Sequence, residues 1–364
     1  MGRSFARRCL ERVTPYAPGK PIEEVQRELG LSRVIKLASN ENPLGPSPKA
    51  LQAIQRALAN LNRYPDSHCF FLVRKLSEAW GLSPEHFLVG NGSDELITLA
   101  VRAFLDPGDE VVIAQPTFLI YSIAAEIAGA KIRGVPLKRF RYDLIGMRKA
   151  ITRRTKLVFI ANPDNPTGTY VTQAEVESFM AALPEETIVF FDEAYAEMVD
   201  APDYPECKRY LLEGRPVIVT RTFSKAYGLS GIRVGYGVAP VELMTAMQRV
   251  REPFNVNSLA QAAALAALED REHLEATRRL LREEKPVVYR ALEELGLEAV
   301  PSAANFILFH VGPRALELVK GLMARGIIVR EMTAWNLPEY VRVTIGLPEE
   351  NRAFIQALRE ELKR

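Results

Sequence analysis

The sequence contains little cysteine and little histidine, and neither is clustered. Its three cysteines, Cys9, Cys69 and Cys207, form no CxxC pair, so no disulfide framework is predicted and a reducing compartment, the cytoplasm, is expected. Its four histidines stand apart, without an HExxH pattern or other metal-ligand spacing. A metal centre is therefore not predicted.

Long apolar runs and blocks of one charge are missing as well. No apolar run approaches the length needed to span a membrane, and the basic N-terminus, MGRSFARRCLERV, lacks the apolar core of a signal peptide. Lysine and arginine are interspersed with acidic residues, and 47 basic against 45 acidic residues leave a net charge of +2. Binding of nucleic acid would need a clustered basic face. We therefore expect a soluble protein with neither a membrane nor a nucleic acid as its partner.

The length and composition suit one large and one small globular domain. The chain has 364 residues, of which 48% are hydrophobic and 25% charged. Ser47 and Pro48 are typical of a helix start, and Thr172 with Glu175 predicts a capping box. Helical segments of this kind alternate with apolar strand-like runs at 87–89, 111–114, 157–161, 188–191 and 217–220. Continuous apolar strands separated by helices predict an α/β fold whose parallel sheet is covered on both faces.

The pattern changes after about residue 250. An alanine- and leucine-rich helix (SLAQAAALAALED), a charged helix and three further strand-like runs at 305–309, 327–329 and 341–345 predict a smaller α+β unit. The first 35 residues fit neither pattern and are expected to form an arm. The predicted organisation is an N-terminal arm over 1–35 that packs on the small domain or a partner, a large domain over 36–250 and a small C-terminal domain over 251–364.

Two turns rich in glycine or proline follow predicted strands, at the end where parallel α/β sheets bind ligands. In GNGSDE (90–95) a turn leads into a helix that begins near Ser93 and Asp94, and the N–H groups of a helix start can bind anions. In NPDNPTG (162–168) two prolines flank Asn165 and fix the loop that carries its amide. A glycine turn without a ligand and a rigid Asx-type turn are the simpler alternatives.

Three other segments carry ionisable residues. Asp192 ends a strand of four β-formers, and a buried carboxylate is costly unless a cation or hydrogen-bond donors meet it. Lys225 follows a strand among glycines, and a lysine in an apolar, electropositive site loses its proton readily and attacks aldehydes. Arg233 adds a cation suited to phosphate, and Arg342 in YVRVTIG adds a guanidinium able to clamp an acidic group. A structural ion pair, a surface lysine, a helix-capping arginine and a charged strand face are the alternatives.

Taken together and in this order, these motifs resemble the fold-type I pyridoxal-phosphate (PLP) aminotransferases. The resemblance covers almost the whole chain and rests on NENPLGPSP (40–48), RYPD (63–66), GNGSDE (90–95), PTF (116–118), NPDNPTG (162–168), DEAY (192–195), TFSKAYGLSGIRVGY (222–236) and RVTIG (342–346). The TPYAPGKP arm, the LASNENPLGPSP stretch and the C-terminal segment IIVRE…YVRVTIGLPEEN are most similar to the histidinol-phosphate aminotransferase family. The resemblance implies a large domain with a mostly parallel seven-stranded sheet between helices, a small α+β C-terminal domain and an N-terminal arm.

The resemblance also implies roles toward pyridoxal 5′-phosphate. Lys225 would carry the cofactor as a Schiff base and act as the base in proton transfer, and Asp192 would keep the ring nitrogen protonated. Tyr195 and Asn165 would bond the ring 3-oxygen, and Phe118, where the family more often has tyrosine, would stack on the ring. The phosphate ligands would be Ser93, Asp94, Ser224, Arg233 and, from a neighbouring subunit, Tyr64.

The role of Tyr64 in that family implies a homodimer with shared active sites. Two arginines suit the phosphate dianion of L-histidinol phosphate, and Arg342 alone suits the carboxylate of glutamate. The implied reaction is transamination between L-histidinol phosphate and 2-oxoglutarate, which gives imidazole-acetol phosphate and L-glutamate in histidine biosynthesis. The implied substrate contacts are Tyr16, Asn42, Arg330 and Arg342.

Other functions are compatible with some of the same residues. Leu347 stands where the family usually has a small polar residue, and Trp335 could line the pocket, which would favour an aromatic or broad-specificity aminotransferase on the same fold. A threonine-phosphate decarboxylase is less consistent with the two arginines. A non-catalytic PLP-binding regulator lacks support because no DNA-binding segment is appended. A nucleotide-binding oxidoreductase lacks the GxGxxG turn after its first strand.

Overall fold

The computed structural model describes residues 5–363. Within that range the chain forms short and long strands, which are β1 Ile35–Lys36, β2 Phe87–Gly90, β3 Glu110–Gln115, β4 Lys131–Pro136, β5 Thr155–Ala161, β6 Ile188–Asp192, β7 Val217–Thr222, β8 Gly235–Val238, β9 Phe306–His310, β10 Ile327–Ile328, β11 Arg330–Glu331 and β12 Tyr340–Thr344. Residues 1–4 of the predicted arm and the last residue of the predicted C-terminal domain lie outside the described range.

Helices cover the strands and connect them. The α-helices are α1 Ile22–Leu29, α2 Pro48–Ala57, α3 Phe70–Trp80, α4 Ser93–Phe104, α5 Leu119–Ala128, α6 Leu144–Ala150, α7 Gln173–Ala181, α8 Lys208–Leu212, α9 Val241–Arg249, α10 Ser258–Leu268, α11 Arg271–Glu294, α12 Ala315–Ala324 and α13 Pro348–Leu362. Short 3-10 helices occur at Arg8–Arg12, Leu58–Asn60, Pro84–His86, Ala196–Met198, Ser230–Ile232 and Thr333–Trp335. None of the helices among residues 5–363 is both long enough and apolar enough to cross a membrane.

Helix starts follow the predicted capping pattern. The Ser47 side chain accepts a hydrogen bond from the backbone N–H of Ala50 at the start of α2, and Pro48 occupies the first helical position. Thr172 and Glu175 form a complete capping box at the start of α7. These side chains satisfy backbone N–H groups that a helix start otherwise leaves unpaired, which fixes where each helix begins.

The large sheet has seven strands in the order β2-β8-β7-β6-β5-β3-β4. All strand pairs are parallel except the two that involve β8, so the predicted mostly parallel seven-stranded sheet is confirmed. The five predicted runs became β2, β3, β5, β6 and β7. Strands β4 and β8 were not predicted, because β4 is a charged, largely exposed edge strand and β8, GYGV, is half glycine.

A smaller α+β unit packs against the large one. Its antiparallel sheet has the order β11-β12-β9, and β10 pairs in parallel with β1 from the N-terminal part of the chain. Its core includes Ile35 and Leu37 together with Phe306, Phe309 and Phe354. The segment around residues 35–37 therefore packs with the small unit, although the predicted boundary assigns residue 36 onward to the large domain.

The second predicted boundary also differs from the packing. Helix α10 buries Ala260, Ala263, Ala264 and Ala267 in the core of the large unit. It was predicted to belong to the small C-terminal domain over 251–364. Small alanine side chains allow α10 to approach α2 closely. The long helix α11 follows it, and Leu281 and Val288 of that helix already belong to the core of the small unit. The domain limits themselves stay a prediction.

Candidate active site

A cavity of about 240 Å³ lies at the carboxyl ends of the central parallel strands, against the small unit and the N-terminal arm. Ligands bind in this position in open α/β sheets. All but two of the predicted site residues line the cavity, and they are Tyr16, Ser93, Asp94, Phe118, Asn165, Asp192, Tyr195, Ser224, Lys225, Arg233, Arg330 and Arg342. Asn42 and Tyr64 are the two that do not line it.

One end of the cavity is an anion cradle. Helix α4 begins at Ser93, and its N-cap Gly92 has a φ of +80°. A Cβ atom at Gly92 would lie 2.5 Å from Nη2 of Arg233, so only glycine leaves room for this guanidinium beside the helix start. Arg233 also donates hydrogen bonds to Ser224 Oγ at 3.2 Å and to Asp94 Oδ2 at 3.3 Å. A helix N-terminus, a hydroxyl and a guanidinium thus converge on one point, the arrangement that binds phosphate.

Asp192 lines the cavity from the last position of β6. Its Oδ2 accepts a hydrogen bond from Tyr121 Oη at 2.7 Å, and its Oδ1 accepts one from the N–H of Ala194 at 3.2 Å. Burial raises the pKa of Asp192 to about 6, against the opposing effect of the Tyr121 bond. No lysine, arginine or histidine of the described residues forms an ion pair with it, so the carboxylate can serve a cationic ligand group.

Tyr121 is a cavity residue that sequence analysis missed. It lies on the buried face of α5, three residues after Phe118, and its ring meets that of Phe118 edge-on at 5.6 Å. The sequence signal was PTFLIY, in which the helical spacing puts Phe118 and Tyr121 on one side of the first turn. The hydroxyl itself gives no signal, because a buried tyrosine is ordinarily a core residue.

Lys225 points into the same space from the turn after β7. Its Nζ donates a hydrogen bond to the backbone carbonyl of Ser39 at 3.2 Å and lies 5.8 Å from the centre of the Tyr195 ring. Burial, followed by the nearby charge of Arg342, lowers the pKa of Lys225 to about 8. About a tenth of the amine is therefore neutral, and hence nucleophilic, at pH 7, far more than for an ordinary lysine.

Asn40, rather than the predicted Asn42, contributes its amide to the cavity. Asn40 Nδ2 donates a hydrogen bond to Tyr195 Oη at 2.9 Å, while burial raises the pKa of Tyr195 to about 12. Asn42 instead donates to the backbone carbonyl of Ala226 and to Thr277 Oγ1, each at 2.9 Å. Asn42 thus holds the turn that contains Lys225 from behind. The motif NEN offers two asparagines, and the sequence does not reveal which one faces the ligand.

Two arginines from the small unit close the other end. The register of β11 and β12 puts Arg330 directly opposite Arg342, so both side chains lie on one face of the strand pair. Both are buried, with 8% and 4% of their surface exposed. The indole ring of Trp335 lies beneath both guanidiniums, 5.2 Å from the Cζ of Arg330 and 5.9 Å from that of Arg342. Trp335 therefore supports the arginines and does not itself line the cavity.

The partners of these two arginines are neutral. Arg342 donates to the side-chain oxygen of Asn165 and, at 2.9 Å, to the backbone carbonyl of Ala38. Arg330 donates to the backbone carbonyl of Ala17 in the arm. Among residues 5–363, neither arginine has a carboxylate within ion-pair distance, and burial lowers the pKa of Arg342 to about 10. This end of the cavity is therefore strongly electropositive.

Tyr64 lies away from the cavity of its own chain. Its side chain is 84% exposed, and its ring stacks on Phe254 with the ring centres 4.8 Å apart. As for metals, no group of three or more histidine, cysteine or acidic residues within the described range is arranged to hold an ion.

The comparisons with known proteins agree with one another. The family model for aminotransferase class I and II matches residues 32–358. The chain is 48% identical over 357 residues to the histidinol-phosphate aminotransferase of Moorella thermoacetica, covering 98% of this chain and 92% of the relative. It is also 48% identical over 362 residues to the histidinol-phosphate aminotransferase of Akkermansia muciniphila, covering 99% of each chain.

Solved structures show the same fold. The histidinol-phosphate aminotransferase of Sinorhizobium meliloti, solved in complex with pyridoxal-5′-phosphate, superimposes with a TM-score of 0.91 at 30% identity, over 100% of this chain and 98% of that one. The aspartate aminotransferase of Thermus thermophilus, solved with maleate, superimposes with a TM-score of 0.83 at 25% identity, over 99% of this chain and 100% of that one.

Proposed function

The chain belongs to the aminotransferase class I and II family, and from this premise we propose that it transfers an amino group between L-histidinol phosphate and 2-oxoglutarate with pyridoxal 5′-phosphate as cofactor. The products would be imidazole-acetol phosphate and L-glutamate, in histidine biosynthesis. The observation that carries this choice of substrate is a pair of buried arginines, Arg330 and Arg342, that have no acidic partner among residues 5–363.

The cavity fits pyridoxal phosphate at both ends of the cofactor. The cradle of Ser93, Ser224 and Arg233 suits its phosphate, and the space beside Gly92 would be lost if a Cβ were present there. The buried carboxylate of Asp192, which has no cationic partner among the described residues, suits a protonated ring nitrogen. When bound, the cofactor supplies an electron-withdrawing pyridinium ring that stabilises negative charge on the substrate carbon.

Lys225 is the proposed attachment point and the proposed base. Its lowered pKa makes Nζ available as a neutral amine, which can bind an aldehyde and later take a proton from a substrate carbon and return it to another. Its hydrogen bond to the neutral Ser39 carbonyl orients the amine. The charges of Glu41 and Asp94 raise the pKa of Lys225, but burial and the charge of Arg342 outweigh them.

Tyr195 and Asn165 are the proposed partners of the cofactor's ring oxygen. Asn40 donates to the Tyr195 hydroxyl, which leaves the proton of that hydroxyl free to be donated to an acceptor in the cavity. The side-chain oxygen of Asn165 accepts from Arg342, which leaves the Asn165 amide N–H groups free to donate in the same direction. Phe118 is the proposed stacking partner of the ring, with its orientation fixed by the edge-on contact with Tyr121.

The electrostatics of the arginine pair favour a phosphate substrate. Two like charges side by side in a buried site repel each other, and only an anion of matching charge can compensate them. A phosphate dianion can take hydrogen bonds from both guanidiniums, whereas a carboxylate needs only one. We therefore assign both arginines to the phosphate of L-histidinol phosphate and Arg342 to the carboxylate of glutamate.

Replacing Arg330 with alanine should separate the two substrates. A hydrogen bond to a charged group is worth roughly 1.5–3 kcal/mol, so kcat/KM for L-histidinol phosphate should fall about 10- to 150-fold. The value for glutamate should change much less in Arg330→Ala and should fall heavily in Arg342→Ala. Steady-state kinetics with both substrates measures this difference.

The controls for that experiment separate charge from packing. Arg330→Lys keeps a cation at the position, and Arg314→Ala removes an exposed arginine of the same unit that pairs with Glu317. Arg314→Ala should resemble the wild type for both substrates. Equal, small losses for both substrates in Arg330→Ala would contradict the assignment and favour an aromatic or broad-specificity aminotransferase.

We also propose that the protein is a homodimer whose subunits share their active sites. Large apolar side chains are exposed along residues 44–71, an apolar face that a monomer would leave in water. Helix α2 buries Ala50 and Ala53 inside the chain, so this face is its outward side. The exposed members of the face are Leu44, Leu51, Leu58, Leu61, Tyr64, Phe70 and Phe71. In such a dimer the Tyr64 hydroxyl would reach the cofactor phosphate of the other subunit.

Mixing two inactive or weakened variants tests the shared site. In a hybrid of one Lys225→Ala and one Tyr64→Phe subunit, one site carries both lesions and the other carries neither. Mixed subunits should therefore regain activity that Lys225→Ala alone lacks and should bind cofactor with wild-type affinity at one site. Tyr64→Phe alone should bind pyridoxal phosphate about 10-fold more weakly, because it loses one hydrogen bond to a charged group. An active monomer in sedimentation, with unchanged cofactor affinity in Tyr64→Phe, would rule the shared site out.

A cytoplasmic location is proposed as well. Cys9, Cys69 and Cys207 are free thiols, of which Cys69 and Cys207 are buried. Burial raises the pKa of Cys69 to about 12, so this thiol stays protonated and unreactive. Free thiols are typical of a reducing compartment.

A further inference from the structure

The buried carboxylate of Asp164 connects two loops of the cavity by a direct side-chain hydrogen bond. One loop, residues 115–118, ends in Phe118, and the other, residues 162–169, carries Asn165. Thr117 Oγ1 donates to Asp164 Oδ1 at 2.6 Å, from the residue directly before Phe118. Among the described residues, no other side-chain hydrogen bond joins these two loops directly.

The other carboxylate oxygen holds the second loop. Asp164 Oδ2 accepts from Thr167 Oγ1 at 2.9 Å and from the Thr167 N–H at 3.4 Å. The backbone of Asp164 adds hydrogen bonds of 2.8 Å to Thr169 and to Gly168. Asn165 lies between Asp164 and Thr167, so these hydrogen bonds also fix the position of the Asn165 side chain.

A tyrosine completes the arrangement. Tyr142 Oη lies 3.2 Å from Asp164 Oδ1 and 2.5 Å from Thr117 Oγ1, and it accepts from the N–H of Ala161 at 3.3 Å, at the end of β5. The two loops are thereby tied to the sheet itself. Asp164 is only 1% exposed, and the residues around it are buried as well.

The chemistry of this site requires a carboxylate. Hydroxyl groups from Thr117, Tyr142 and Thr167 and one N–H converge on Asp164, and a carboxylate accepts on both oxygens, whereas an asparagine would turn an NH₂ group toward one side. Burial raises the pKa of Asp164 to about 6, and the hydrogen bonds from Thr117, Thr167 and Tyr142 oppose this rise. No cation within the described range forms an ion pair with the Asp164 carboxylate. Burying this charge therefore costs free energy that an apolar side chain at the same position would not cost.

We infer that Asp164 is a positioning residue of the active site, whose carboxylate sets the distance between the cofactor-stacking ring of Phe118 and the amide of Asn165. This inference rests on the proposed function, since it concerns how the chain holds pyridoxal phosphate. Asp164 does not line the cavity, so it acts through Phe118 and Asn165, which do. Displacements of about 1 Å at such positions can cost on the order of 100-fold in rate.

Four variants test the inference by cofactor binding and colour. Asp164→Asn should weaken pyridoxal-phosphate binding about 10-fold and shift the pH midpoint of the visible absorption band by about half a pH unit or more. Thr117→Val should mainly weaken binding, because it disturbs the Phe118 loop. Thr167→Val should mainly shift the midpoint, because it disturbs the Asn165 loop. The matched control is Asp143→Asn, which changes the same group one residue after Tyr142 at the N-cap of α6, outside the cavity, where asparagine also caps.

Each outcome is decisive. Wild-type affinity and midpoint in Asp164→Asn, with only a lower unfolding temperature, would overturn the inference and make Asp164 a purely structural residue. Equal changes in Thr117→Val and Thr167→Val on both readouts would also overturn it, because the loops would then not be set separately. A wild-type protein that bound no pyridoxal phosphate would overturn the proposed function, and the inference with it. A changed Asp164→Asn beside an unchanged Asp143→Asn supports the inference.

Discussion

Replacing Lys225 with alanine should abolish transamination, with a loss in kcat of at least about 10⁴-fold, because the change removes both a nucleophile and a general base. The variant should still bind pyridoxal phosphate without a covalent bond, since the cradle at Ser93, Ser224 and Arg233 is untouched. Half-reaction spectra with L-histidinol phosphate, together with cofactor titration, measure the two effects separately.

Lys285 provides a closely matched control. Burial lowers its pKa to about 8, as for Lys225, and its Nζ likewise donates to a backbone carbonyl, that of Ser302 at 3.1 Å. Lys285 lies outside the cavity, so Lys285→Ala should keep wild-type activity and cofactor colour.

Covalent labelling gives the decisive comparison between the two lysines. After borohydride reduction of the holoenzyme, peptide mapping should find the cofactor on Lys225 and not on Lys285. Because both amines have similarly lowered pKa values, only their position relative to the cradle distinguishes them. A label on Lys285, or on any other lysine, would contradict the assignment of Lys225.

The strands of the large sheet could be predicted wherever they are continuous and apolar. The runs IVFF (188–191) and VIVT (217–220) predict strands clearly, because both faces of these central strands are buried. The edge strand β4 carries Lys131 and Arg133 on an exposed edge, so its composition looks like a loop. The unit to which α10 belongs is harder to predict, since α10 packs with the large unit but lies after residue 250, where the sequence pattern changes.

The candidate site could be predicted at the strand ends and less well elsewhere. Asp192 ends β6 and Lys225 lies in the turn after β7, the neighbouring strand, so the topology alone brings them to one edge of the sheet. Tyr121 reaches the same cavity from a helix face and Asn40 from the segment after β1, and their contacts depend on tertiary packing that no spacing encodes. The cost of charge can be read only in the structure, because burial around Asp192 is contributed by residues far apart in the chain.

The buried charge of Asp192 lowers the stability of the fold at neutral pH. Its pKa is raised from 3.8 to about 6, so the folded protein holds this proton more tightly than the unfolded chain does. The resulting contribution to the free energy of unfolding is fully present below about pH 3.8 and is lost as the pH rises through about 6. At pH 7 the ionised carboxylate therefore destabilises the cofactor-free fold, by up to about 3 kcal/mol. A carboxylate that served only the fold would act in the opposite direction.

Asp192→Asn should consequently separate catalysis from stability. A neutral amide cannot hold the cofactor's ring nitrogen protonated, and losing one partner of a buried charge pair costs about 3–5 kcal/mol, so kcat should fall by roughly 10²- to 5 × 10³-fold. The cofactor-free variant should unfold at the same temperature as the wild type or higher at pH 7, and this difference should shrink toward pH 4, where both side chains are neutral. Asp192→Glu, which keeps the charge on a longer side chain, should recover part of the lost rate.

Calorimetry of the cofactor-free proteins and half-reaction kinetics of the loaded ones measure both effects. A variant that keeps a rate within a few-fold of the wild type but unfolds at lower temperature at pH 7 would make Asp192 a structural residue and remove the carboxylate from the proposed site.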